Sequence, residues 1–138
     1  MGMSDILKIW RGLCYGQFLC LLGIFTYLGL TSSPGKVVPL YNDWLMHFTG
    51  YVAAGISISF AFPRWPVLKR FLFLLIFSIL IETGQHFLPP RTFSLMDIVA
   101  NGGGVLAGIA LFYLLRCCTP GALLPFFGKE LPCPAGSE

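Results

Sequence analysis

Residues 82–104 read ETGQHFLPPRTFSLMDIVANGGG, and they place Glu, Gln, His, Arg, Asp and Asn side chains between two apolar runs. An ionisable side chain near the centre of a lipid bilayer costs roughly 2.5–3.5 kcal/mol on insertion scales. If the flanking runs cross a membrane, these polar residues therefore mark a functional site by default. The stretch therefore locates a functional site more clearly than it identifies the function.

The composition of the whole chain is typical of a membrane protein. Of its 138 residues, 56% are hydrophobic and 11% are charged, whereas soluble domains average about 25% charged residues. A soluble domain of this length cannot bury so much apolar surface. The formal net charge of +3, without a basic run, gives no indication of nucleic acid binding, so no nucleic acid partner is predicted.

The apolar runs predict four transmembrane helices, since about 20 apolar residues cross a bilayer. They cover residues 13–30, 44–62, 71–88 and 95–115. The first run is longer than the apolar core of a signal peptide and is interpreted as a retained helix. Turn residues at 31–43 separate the first two helices, and Pro89 and Pro90 end the third because proline lacks a backbone N–H. Residues 1–116 are the predicted membrane domain, and residues 117–138, rich in Pro and Gly, are a tail expected to be unstructured.

The basic residues predict the orientation, because Lys and Arg concentrate in cytoplasmic segments. Of the nine basic residues, seven lie in the N-terminal head, in the connection at 63–70 or in the tail: Lys8, Arg11, Arg64, Lys69, Arg70, Arg116 and Lys129. The other two loops hold only Lys36 and Arg91. The predicted fold class is therefore all-α, an integral membrane bundle of four transmembrane helices with both termini in the cytoplasm. No cysteine falls in an outer loop, so no structural disulfide is expected.

In this orientation the polar residues of three helices fall in the outer half of the membrane. On each helix they are spaced three or four apart and so share one face. The stripes are Asp43, His47 and Tyr51 on the second helix, Glu82 and Gln85 on the third, and Asp97 and Asn101 on the fourth. Lipid cannot satisfy polar side chains, so we expect the stripes to face one another inside the bundle.

These stripes carry a resemblance to a known family. The order D-x-x-x-H-x-x-x-Y at 43–51, E-x-x-Q at 82–85 and R-x-x-S-x-x-D-x-x-x-N at 91–101 resembles the VanZ-like family of small multi-pass bacterial membrane proteins. The resemblance implies a location in the bacterial cytoplasmic membrane and a link to resistance against the glycopeptide teicoplanin. It implies no settled biochemical activity. Trp44 departs from the pattern, which has Lys after the aspartate, so this chain lacks a positive charge there.

Residue chemistry assigns roles within the motif. The candidate catalytic residues are His47, Glu82 and Asp97, since each can transfer a proton. The candidate binding residues are Asp43, Tyr51, Gln85, Arg91, Ser94 and Asn101. Among these, Arg91 stands near the positive start of the fourth helix and is suited to hold a phosphate.

Some of these residues also fit simpler structural roles. Asp43 and Ser94 precede helices and suit N-caps, and Ser94 with Asp97 has the spacing of a capping box. His47 and Tyr51 suit a satisfied interior pair. Glu82 is placed too deep to cap a helix start, which argues for function.

The predicted site fits the head group of a membrane lipid or of a lipid-linked envelope precursor. The chain has no nucleophile elbow, phosphate-binding loop or HExxH motif, so the sequence leaves open whether a reaction takes place. One or two imidazoles among scattered carboxylates are a weak metal signature, and we predict no metal and no cofactor. The alternatives are a transporter or proton-coupled subunit, and a non-catalytic helper of a larger membrane complex.

Overall fold

The computed structural model describes residues 2–31, 43–88 and 94–128. Four long helices form its body: α1 (Met3–Leu30), α2 (Asp43–Ala61), α3 (Val67–Gln85) and α4 (Leu95–Cys117). A 3-10 turn at Gly121–Leu123 and the short helix α5 (Leu124–Phe127) follow. These ranges contain no β-strand, which confirms the all-α prediction.

Glycines bring α2 and α4 into backbone contact, and this pair has the most extensive packing in the bundle. A Cβ added at Gly104 or Gly108 of α4 would collide with the carbonyl oxygens of Phe48 and Val52 on α2. A Cβ added at Gly55 of α2 would lie 3.1 Å from the Cα of Gly108. Small residues permit such an approach, which holds the two helices at short distance and in one register.

The surface of the bundle is apolar, whereas its interior carries polar side chains. Leu13, Leu19 and Leu80 are 62%, 66% and 66% exposed, while Arg70 and Glu82 are 0% and 1% exposed. In water-soluble proteins, by contrast, leucines are mostly buried and charged side chains are mostly exposed. Within the described ranges, α1 and α4 are the two helices long and apolar enough to cross a membrane.

Arg70, expected in the connection at 63–70, instead lies in the first turn of α3 and is fully buried. Its Nε donates to the carbonyl oxygen of Trp65 and its Nη2 to that of Pro63, both at 2.9 Å. The connection is therefore shorter than predicted, because α3 already begins at Val67. The buried guanidinium satisfies carbonyl groups of the turn that the backbone leaves unpaired.

The start of the predicted tail is ordered. The ring of Phe127 lies 5.0 Å from that of Phe60 and 5.6 Å from that of Phe112, measured between centroids. The indole Nε1 of Trp10 donates to the carbonyl oxygen of Phe126 at 3.0 Å. The Pro and Gly content predicted no structure here, but two adjacent phenylalanines anchor the segment against the end of the bundle. The rest of that tail lies outside the described residues.

Cys117, the last residue of α4, is disulfide-bonded, whereas Cys14, Cys20 and Cys118 are free. This corrects the expectation of no structural disulfide. That expectation followed from the predicted compartment of each cysteine, whereas disulfide formation also requires that two thiols meet in suitable geometry.

Candidate functional site

A cavity of about 210 Å³ lies at the end of the bundle where α2 and α4 begin and α3 ends. Three helices supply its polar lining: Asp43, His47, Tyr51, Ser78, Glu82, Gln85 and Asn101. Its apolar wall includes Phe25 and Leu28 of α1 and Ile81 of α3. The cavity thus combines polar groups and an apolar wall in one continuous lining.

A chain of hydrogen bonds crosses the cavity from α2 through α4 to α3. Nδ1 of His47 lies 3.1 Å from Oδ1 of Asn101, and Nδ2 of Asn101 donates to the hydroxyl of Ser78 at 2.7 Å. Because Asn101 donates through its nitrogen, its oxygen accepts, and Nδ1 of His47 carries the proton in this bond. The Nε2 atom of a neutral His47 is then an acceptor that points away from Asn101.

Glu82 is buried near the end of α3, where it contacts the start of α4. Its Oε1 accepts a hydrogen bond from the backbone N–H of Ser94 at 3.0 Å. Ser94 is the N-cap residue of α4, and its hydroxyl accepts from the backbone N–H of Asp97 at 3.3 Å, so the predicted cap is confirmed. The expectation that Glu82 has no helix start within reach is wrong, because the fold places the end of α3 beside the beginning of α4.

Asp43, His47 and Asp97 form a cluster at the more exposed side of the cavity. Nε2 of His47 lies 3.8 Å from Oδ2 of Asp97, and their side chains are 20% and 14% exposed. One side-chain nitrogen or oxygen from each of the three residues lies within 4.8 Å of the others. Asp43, the first residue of α2, is exposed. One turn of α2 therefore brings two ionisable groups beside a carboxylate of α4.

Tyr51 and Gln85 are buried in the cavity wall, at 6% and 5% exposure. The Tyr51 ring lies 5.4 Å from the ring of Phe25, so α1 contributes to a site whose motif lies entirely later in the sequence. Arg91 lies outside the described residues, and its role in binding stays a prediction.

Sequence reasoning missed Ser78, which the structure places at the α3 end of the hydrogen-bond chain. The signal was present, because Ser78 precedes Glu82 by four residues and so shares its helix face. That spacing alone does not assign Ser78 to a site, because a serine inside an apolar helix is often satisfied by its own backbone. Phe25 and Leu28 left no such signal, since they resemble any lipid-facing residue of α1.

Residues 18–116 match the family model described as VanZ/LLP1, which confirms the resemblance seen in the motif. No curated protein and no solved structure gives a significant match to the chain. The matched segment includes all the described residues that line the cavity, from Phe25 to Asn101. On this match, which extends over more than half of its length, the chain belongs to the VanZ/LLP1 family.

Proposed function

We propose that the protein is a bacterial inner-membrane protein of four spans whose cavity binds the polar head group of an envelope lipid or of a lipid-linked precursor. The observation that carries this proposal is the mixed lining, polar on α2, α3 and α4 and apolar along α1. A lipid presents the same combination of a polar head and an apolar chain. The volume of about 210 Å³ is below the roughly 300 Å³ of the smallest common ligand pockets, so it suits part of a head group rather than a whole lipid.

The dimensions and surface of the helices support a membrane location. The shortest of the four long helices have 19 residues and are roughly 28 Å long, close to the hydrocarbon thickness of about 30 Å. The most apolar 18-residue stretches of α1 and α4 are only 11% and 33% buried, unlike the core helix of a soluble protein. In α3 the apolar run is flanked by three charged residues, Lys69 and Arg70 near its start and Glu82 near its end.

The distribution of Lys and Arg supports a cytoplasmic location for both termini, with the cavity in the outer half of the membrane. Deeper in the bundle, Ser57 donates to Oε1 of Gln17 and Ser59 donates to the carbonyl oxygen of Gly55, both at 2.7 Å. These polar groups are satisfied within the protein. A transporter needs a polar path through the whole bundle. Because Ser57 and Ser59 are hydrogen-bonded within the protein, they favour a cavity that opens to one side of the membrane only.

A cavity-filling substitution tests the proposal. Gly50 lines the cavity, and a Cβ added there would lie 3.4 Å from the Phe25 ring. Gly50→Leu should therefore fill the space that a head group occupies. Gly16→Leu on α1 is the matched control, because no other atom lies within 4 Å of a Cβ added at Gly16.

The measurement is the amount of lipid retained per chain after exhaustive detergent exchange, by native mass spectrometry. We expect the wild type and Gly16→Leu to retain lipid and Gly50→Leu to lose most of it at equal abundance. Equal retention in all three proteins would overturn the proposal. The same three proteins, produced in a teicoplanin-susceptible bacterium, test whether the resistance implied by the family resemblance depends on the cavity.

A further inference from the structure

We propose that Asp43, His47 and Asp97 bind a divalent transition-metal ion at the entrance of the cavity. Their candidate ligand atoms lie within 4.8 Å of one another, and the His47 Nε2 to Asp97 Oδ2 distance is 3.8 Å. A tetrahedral ion with bonds of 2.0–2.2 Å needs ligand separations of about 3.3–3.6 Å. Small rotations of side chains that are not fully buried bring the three atoms to that spacing.

The hydrogen bond between His47 and Asn101 prepares His47 as a ligand. Nδ1 donates to Asn101 Oδ1 at 3.1 Å, which leaves the Nε2 lone pair facing Asp97. Metal-binding histidines commonly donate their other ring N–H to an oxygen in this way, which orients the ring and sets its tautomer. The 3.8 Å separation is too long for a direct hydrogen bond between Nε2 and the carboxylate. It leaves room for a cation between the two groups.

The charge of the cluster also favours a cation. Asp43 lines the cavity and Asp97 stands beside His47, whereas no described lining residue is Lys or Arg. Within the described ranges, neither Asp43 nor Asp97 forms an ion pair with Lys or Arg. Carboxylates collected in a partly buried site repel one another unless a positive charge joins them.

Gln85 adds hydrogen-bonding groups to the same cavity. It is 5% exposed and lines the cavity together with Asp43 and His47. Its side-chain amide can both donate to and accept from a molecule bound beside the cluster.

An imidazole with two carboxylates suits Zn²⁺ or Mn²⁺ better than Mg²⁺, which prefers oxygen ligands alone. Three protein ligands would leave a coordination position open for a further ligand. The ion would supply the positive charge that a phosphate-bearing head group needs in a lining rich in carboxylates. This last use rests on the proposed function, whereas the metal site rests on the cluster itself.

Titration with Mn²⁺ tests the site. The full chain is purified in detergent without chelators, and electron paramagnetic resonance follows the loss of free Mn²⁺ and the coupling of bound Mn²⁺ to a nitrogen nucleus. We expect saturation at one ion per chain with a coordinated imidazole nitrogen. His47→Gln should abolish the nitrogen coupling, and both His47→Gln and Asp97→Asn should weaken binding at least tenfold.

Matched controls separate the cluster from adventitious binding. His86→Gln changes the other histidine, which is exposed at the end of α3, and Asp5→Asn changes an exposed carboxylate of α1; both should bind Mn²⁺ as the wild type does. Absence of saturable binding at millimolar Mn²⁺, or binding without nitrogen coupling, would overturn the proposal without any variant. Normal Mn²⁺ binding together with undiminished lipid retention in Gly50→Leu would leave the metal site standing and refute the head-group function.

Discussion

Glu82 combines a helix-anchoring contact with a place in the cavity wall. The carboxylate is 1% exposed and accepts the backbone N–H of Ser94 at 3.0 Å. A hydrogen bond to a charged group is worth about 1.5–3 kcal/mol, so this contact alone stabilises the packing of α3 against the start of α4. The charge and the hydrogen-bond acceptor are nevertheless separable by substitution.

Glu82→Gln keeps an oxygen that can accept from Ser94 and removes the negative charge. We expect its abundance and melting temperature to stay near those of the wild type, while lipid retention falls. Glu82→Ala removes the acceptor as well, and it should unfold more easily by about 1–3 kcal/mol. Thermal unfolding and lipid retention are measured on the same preparations, with Asp5→Asn as the control for charge removal. Wild-type lipid retention in Glu82→Gln would assign Glu82 to anchoring α4 alone.

At the scale of elements, the contact between α2 and α4 positions the site. His47 on α2 and Asn101 on α4 are 54 residues apart in sequence and meet at 3.1 Å. Three and seven residues after Asn101, Gly104 and Gly108 let the α4 backbone touch α2. A change in the separation of these helices would therefore act directly on the hydrogen bond at the cavity.

Gly108→Ala should push α2 and α4 apart. The new Cβ would overlap the carbonyl group of Val52 and lie 3.0 Å from the Cα of Gly55, neither of which can move without shifting the backbone. We expect a loss of about 1–3 kcal/mol, as for other overpacked sites, seen as a lower melting temperature in detergent. Gly16→Ala, with nothing else within 4 Å, should be neutral or stabilising by up to about 1 kcal/mol. Identical melting temperatures for the two variants would show that the close approach does not limit stability.

At the scale of the whole molecule, two features indicate opposite compartments for the end of α4. The basic residues of the head, the α2–α3 connection and the C-terminal segment indicate the cytoplasm. Cys117, however, is disulfide-bonded, and disulfides persist mainly in oxidising compartments outside the cytoplasm. The location of the C-terminus decides whether the cavity lies in the outer or the inner half of the membrane.

A reporter that is active only in the cytoplasm resolves the orientation. Fused after Glu138 it should be active, and inserted beside Lys36 it should be inactive, because short loops rich in Lys and Arg stay inside. Both fusions keep α1 to α4 intact. The reverse pattern would place the cavity on the cytoplasmic side, and it would agree with the disulfide at Cys117.

The order of residues alone predicts that the chain is helical and which polar residues share a helix face. Apolar runs require helices in lipid because every backbone N–H and C=O must be satisfied within the segment. The spacing of Asp43 and His47, or of Glu82 and Gln85, follows from 3.6 residues per turn. Both properties are local, so the order of residues is enough to predict them.

Which helix faces meet cannot be predicted from local spacing and follows from the packing of the helices. The hydrogen bond of Glu82 to Ser94, the grouping of Asp97 with His47 and the burial of Arg70 depend on how the helices pack. Local spacing carries no information on those distances. Packing depends instead on close approach at glycines and on the aromatic side chains of the C-terminal segment. Such contacts join residues far apart in sequence, and their geometry follows from the shapes of whole helix surfaces.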